Sequence, residues 1–124
     1  MKALLIDVYN NTVTVQDPET LEDWYQLIDC KLVEIASRRI GYDRRFNIIC
    51  DEEGCFRQDA KISAIDSIGC PMLVGNLLIV GDADADGELL PLDEYDIAYL
   101  THYIHKIPTL AYPDGYMMLT QCSY

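Results

Sequence analysis

A chain of 124 residues, half of them apolar and a quarter charged, has the length and composition of one globular domain with one core, which excludes a disordered segment. No apolar run approaches the roughly 20 residues that span a bilayer, so no transmembrane helix is expected. The net charge of −12, from 21 acids against 9 Lys and Arg, opposes binding to DNA, RNA or anionic lipid, all of which attract basic proteins.

Lys2 to Tyr9 reads as a strand whose Leu4, Leu5, Ile6 and Val8 suggest burial on both faces. The stretch is too short for a signal-peptide core and ends its apolar run at Asp7, which predicts a cytoplasmic protein. Asn10-Asn11 is a turn, and the alternating, β-branched Thr12 to Val15 completes a hairpin. Pro18 to Asp29 is a helix, with Thr20 as cap, Asp23 three residues on, and Leu21, Trp24, Tyr25 and Ile28 as its buried stripe. Lys31 to Ala36 is a strand. Ser37 to Arg45 is a polar connection carrying Arg38, Arg39, Arg44 and Arg45, the best place in the chain for an anion, although such runs are usually solvated connections. Phe46 to Cys50 is a strand that turns back at Asp51-Glu52-Glu53-Gly54.

Asp59 to Ile68 reads as a short helix with Ile62, Ile65 and Ile68 inward, and Leu73 to Val80 as the central strand, with Gly75 marking a bulge or a close backbone approach. Gly81 to Gly87 is a turn and Glu88 to Leu92 a short extended piece. Asp93 to Ile107 is the second helix, capped by Asp93, striped by Ile97, Leu100, Ile104 and Ile107, and stopped by Pro108. Tyr116 to Thr120 is a last strand. The expected fold is a single α+β domain over residues 1–124, a mainly antiparallel sheet with two main helices packed on one face.

Asp51-Glu52-Glu53-Gly54, then Leu73-Val74-Gly75-Asn76, then Val80-Gly81-Asp82 follow a spacing that resembles the DUF3846 family, a domain of unknown function found in phages, plasmids and other mobile elements of bacteria. The opening Lys2-Ala3-Leu4-Leu5-Ile6-Asp7, the helix from Leu21 to Ile28 and Cys30-Lys31-Leu32-Val33-Glu34-Ile35 match it in order, so the resemblance covers residues 1 to about 90. Where the family carries Pro-x-Asn after the acidic turn, this chain has Arg57-Gln58-Asp59-Ala60-Lys61. The resemblance implies no established activity. It does imply a mobile-element origin, a bacterial host cytoplasm and, by analogy with small acidic proteins of such elements, an anti-defence role.

Asp82, Asp84, Asp86 and Gly87 spell D-x-D-x-D-G, the first half of a calcium loop. The twelfth position is Asp93 where an EF-hand needs Glu, and a strand precedes the loop where a helix should. A solvated turn is the plainer reading; the alternative is a small-ligand or cation-binding domain that uses the Asp82–Asp86 loop, with calcium held in a loop of another kind. No phosphate-binding glycine motif occurs. His102 and His105 have no G-x-S-x-G nucleophile to serve. Five cysteines, an odd number, point to reduced thiols, with Cys30, Cys50 and Cys70 expected in the core and no close pair spaced for zinc.

The charge is uneven. Residues 62–124 hold 9 acids and a single base, Lys106. Asp82, Asp84, Asp86, Glu88, Asp93, Glu94 and Asp96, with Tyr99 and Tyr103 on the following helix, form a candidate docking face for a basic protein partner. The chain therefore reads as a binding protein without a cofactor, rather than an enzyme, since no nucleophile, base and orienting group can be assembled.

Overall fold

The computed structural model describes residues 1–124. β1 (Ala3–Asp7) and β2 (Thr12–Gln16) form the expected hairpin, and Asn11 turns it at φ 54°, a left-handed conformation that Asn tolerates. α1 (Leu21–Ile28) follows, closed at its start by reciprocal bonds between Thr20 and Asp23. β3 (Val33–Ile40), β4 (Arg44–Asp51), β5 (Ile62–Ile65), β6 (Pro71–Val74) and β7 (Leu77–Val80) come next, then α2 (Glu94–His102), β8 (Ile104–Ile107), β9 (Tyr116–Leu119) and β10 (Cys122–Ser123).

Two sheets result. The larger has six antiparallel strands in the order β10-β3-β4-β7-β1-β2, and the smaller has four in the order β6-β5-β9-β8, with one parallel contact between β5 and β9. The fold is α+β and mainly antiparallel, in one domain. Every residue of β7 is buried, so the larger sheet needs a cover on each side. Ala3, Leu5, Ile49, Leu78 and Val80 meet Ile28 of α1, with Trp24 and Leu27 beside it. Leu4, Ile6, Ile48 and Ile79 face the opposite way and join Leu100 of α2 and Ala64, Leu73, Met118 and Leu119 of the smaller sheet. The two helices therefore lie on opposite faces, where the sequence led us to expect both on one.

Four further differences have local causes. The arginine-bearing connection is not a connection: β3 and β4 pair from Val33↔Asp51 to Ile40↔Arg44, and the turn is only Gly41 to Asp43. The predicted helix at 59–68 is the strand β5, whose register shifts on either side of Ala64 break the two-residue period and mimic a three-residue one. The predicted strand 73–80 is two strands in different sheets, β6 and β7, divided at Gly75-Asn76. The second helix ends at His102, because Ile104 to Ile107 pair with β9 instead of continuing the helix.

Cys50 is buried as expected, Cys30 is half-buried, and Cys70 is exposed; the other buried thiol is Cys122. Burial, reinforced by the Glu34 carboxylate, pushes the Cys50 thiol up to about 12, and burial takes Cys30 and Cys122 to about 11. Thiolates are the reactive form, so a disulfide reagent at pH 8 is expected to modify Cys55 and Cys70 quickly, Cys30 more slowly, and Cys50 and Cys122 only on unfolding. Rapid labelling of Cys50 or Cys122 in the folded protein would contradict this packing.

Candidate functional site

The acidic loop begins where β7 stops. Gly81 is pressed against the returning chain: its N–H donates to the Leu90 carbonyl at 2.7 Å, and a Cβ here would lie 2.9 Å from that oxygen. The chain is thus forced to fold back at once, and Ala83 and Leu89 make a bridge above that bond. Beyond them, Asp84 organises the tip. Its Oδ1 accepts from the N–H groups of Asp86 at 2.9 Å and Glu88 at 3.0 Å, while its own N–H donates to the Glu88 carbonyl at 2.9 Å. Asp82, Asp84, Asp86 and Glu88 are all exposed.

The loop is built as a turn that uses two carboxylates on its own backbone, Asp84 at the tip and Asp82, which accepts from the Ala83 N–H at 2.9 Å. Nowhere in the chain do three or more His, Cys, Asp or Glu side chains converge closely enough to hold a metal ion, and Asp82, Asp84 and Asp86 are no exception.

The start of α2 uses its acids differently. The Asp93 carboxylate accepts from the Asp96 N–H at 2.7 Å, and Asp96 accepts from the Asp93 N–H at 3.0 Å. The second oxygen of Asp96 pairs with Arg44. Arg44 in turn lies over the rings of Phe46, at 5.1 Å, and Tyr99, at 4.8 Å. Tyr99 stacks on Phe46, donates its hydroxyl to the Ile40 carbonyl at 2.6 Å, and contacts Tyr103 at 5.2 Å between ring centres. Asp96, Tyr99 and Tyr103 therefore fasten α2 to the β3–β4 hairpin, while Asp93 closes the start of the helix. Glu94 alone among the acids here is exposed and unengaged.

Burial acts against ionisation of Asp96, but the Asp93 N–H and the Arg44 guanidinium outweigh it and hold the carboxyl below its ordinary range. A depressed folded-state value gives stability that is complete above the unfolded value of about 4 and lost as pH falls through the folded one. The melting-temperature gap between wild type and Asp96→Asn is accordingly expected to be full above pH ~4.5 and to close below it, corresponding to about 1 kcal/mol for a partly buried pair plus cap. A gap that widens on acidification would contradict the assignment.

The residues that carried the family resemblance are structural. Asp51 accepts from the Glu53 N–H at 2.9 Å, the Glu52 N–H reaches the Leu32 carbonyl at 3.0 Å, and buried Gly54 lies under β6, where a Cβ would come within 3.1 Å of the Val74 oxygen. Gly75 has φ 82°, which a side chain rarely adopts, and this bend carries the chain from the smaller sheet to the larger. Asn76, only 3% exposed, fixes the bend by accepting the Val8 N–H at 3.0 Å.

Sequence reasoning missed a second set of basic and aromatic residues. Lys61 lies 4.4 Å from the ring centre of Tyr112 and 5.2 Å from that of Tyr116, and Arg57 stacks 4.6 Å from the Tyr9 ring. These contacts join positions up to 55 residues apart, and no local pattern announces them.

These features define a small single-domain, mostly antiparallel α+β protein whose acidic loop stands clear of the contacts that hold the fold together. The chain belongs to the DUF3846 family, a domain of unknown function, whose family model matches residues 1–105. That match runs past the acidic loop, through α2 and into β8. Comparison with curated proteins and with solved structures gave no match. No helix is long and apolar enough to cross a membrane.

Proposed function

We propose that this chain is a non-enzymatic acidic binding protein of phage or mobile-element type that docks on a basic partner, a host nucleic-acid-binding or defence protein. The observation that carries this reading is a division of labour among the carboxylates. Asp93 and Asp96 are engaged within the fold, whereas Asp82, Asp86, Glu88 and Glu94 are exposed without a cation partner. No Lys or Arg occurs between Ile62 and His105 to neutralise them. A patch of one sign on a rigid stem steers an oppositely charged partner and fixes its approach, with little desolvation cost at the rim.

The docking face is narrower than the sequence suggests: the loop tip and Glu94, with Tyr99 and Tyr103 behind it as supports. Such a patch is far shorter than a DNA duplex carrying about one charge per 1.7 Å, so a compact basic protein surface suits it better than a protein that tracks long DNA. Immobilised protein incubated with host lysate is expected to retain a basic protein at about 50 mM salt and release it at about 500 mM, where the screening length falls to a few ångströms. Retention of no basic protein at low salt would refute the reading.

A further inference from the structure

We infer that β2 is a self-pairing edge: two copies of the chain join antiparallel along Thr12–Gln16 into a two-fold dimer that shares one continuous larger sheet. A strand at the edge of a sheet presents unpaired N–H and C=O groups and pairs with another chain unless something prevents it. The two sheets have four edge strands, β10, β2, β6 and β8. Three are guarded. β10 is two residues long, and the part of β3 that it leaves uncovered carries Glu34 and Arg38. β6 opens on Pro71, which has no N–H, and its register with β5 shifts at two points. β8 has four residues, with His105 and Lys106 in its middle.

β2 has none of these devices. It is five residues long, holds no charge, proline or glycine, and keeps an unbroken register with β1 from Ala3↔Gln16 to Asp7↔Thr12. Its threonines and valines are β-branched, the side-chain type that favours strands. Its backbone bonds to β1 alone, so the groups on its outer side are free to pair.

The order of the side chains identifies the partner as a second copy. Thr12-Val13-Thr14-Val15-Gln16 alternates symmetrically about Thr14. A two-fold axis at Thr14 sets Thr14 against Thr14, Val13 against Val15 and Thr12 against Gln16, each pair on one face, as antiparallel pairing requires. Val13 already packs on the larger core cluster, and Val15, on the same face and 50% exposed, gains an apolar neighbour in Val13 of the second copy. Asp17, just beyond the strand, falls opposite Asn11, so no carboxylates meet. The Asn11 side-chain oxygen is engaged with the Met117 N–H, which leaves its amide N–H groups to donate to Asp17. In a chain of net charge −12 a neutral edge is where two copies can approach closely. The two-fold axis uses both free edges, which closes the assembly at a dimer instead of a fibre. β1 separates β2 from β7 and the acidic loop that follows it, so this inference is independent of the proposed docking.

Sedimentation equilibrium from about 5 µM to about 1 mM tests it. The contact is smaller than a standard interface, so wild type is expected to pass from monomer to dimer with a dissociation constant on the order of 10–100 µM. Raising salt from about 50 to about 500 mM is expected to tighten the dimer by screening the repulsion between copies, whereas it releases a basic partner. Amide exchange in Thr12–Gln16 is expected to slow as concentration rises through the dissociation constant. Thr14→Lys and Thr14→Glu, at an exposed position, each set like charges against each other on the axis and are each expected to weaken the dimer at least about tenfold, while an equal mixture of the two is expected to restore it. Wild type that stays monomeric at about 1 mM, exchange in β2 that ignores concentration, or a dimer undiminished in both variants would overturn the inference.

Discussion

Phe46→Ala is expected to destabilise the protein by about 4 kcal/mol, read as a lower denaturation midpoint at unchanged slope. The ring is 1% exposed and belongs to the larger core cluster, so its removal leaves a cavity among Ile48, Leu100 and their neighbours. The loss does not stop at the cavity. Phe46 is the surface on which Tyr99 stacks at 6.0 Å, and Arg44, held there, carries the ion pair to Asp96. The attachment of α2 to the β3–β4 hairpin thus rests on this ring. Phe46→Leu keeps most of the volume but loses the aromatic face, and about 1.5 kcal/mol is expected. A Phe46→Ala effect no larger than that of Phe46→Leu would mean that α2 is anchored elsewhere.

Asn76→Ala is expected to cost about 3 kcal/mol. The buried Val8 N–H loses its acceptor, an unsatisfied donor costs 1–3 kcal/mol, and the vacated volume adds to it. Asn76→Leu separates the two contributions: it restores the volume but not the oxygen. Comparable destabilisation in both variants would assign the effect to the hydrogen bond, and near-wild-type stability of Asn76→Leu would refute that role. Because Asn76 stands where the chain changes sheets, an increased unfolding rate with little change in slope is the accompanying expectation.

What the sequence disclosed and what it withheld divide along the same physical line. The features set by near neighbours were legible. The Asn10-Asn11 turn, the Thr20–Asp23 cap and the Asp93 cap all depend on residues within three or four positions. Burial of β1 on both faces was also legible, from its unbroken apolar run. Partner choice across the chain was not. Ile104 and Ile107 fit a helical stripe as well as a strand, and only pairing with β9, a dozen residues on, decides between them. Ile62 and Ile65 had helical spacing because a bulge at Ala64 removed the strand signature.

The smaller sheet escaped notice because its strands are four residues long and one of its contacts is parallel and non-local. The candidate site shows the same division. Counting charges located the acidic half, but only the geometry separates Asp93 and Asp96, which hold the fold, from Asp82, Asp86, Glu88 and Glu94, which do not. Tyr99 was placed on a docking face by its neighbours in sequence, whereas its hydroxyl is engaged with Ile40, 59 residues away.

The proposed docking requires that those free carboxylates do the binding. The direct measurement compares wild type with a variant carrying Asp82→Asn, Asp86→Asn, Glu88→Gln and Glu94→Gln, side by side, for retention of basic host protein at low salt. Asp82 bonds only the adjacent Ala83 N–H and Glu94 stands in the first turn of α2, small contributions that the relief of like-charge repulsion offsets, so the variant is expected to melt close to wild type. The predicted result is loss of the retained protein in the variant at unchanged melting temperature. Equal retention by both proteins would contradict the docking surface.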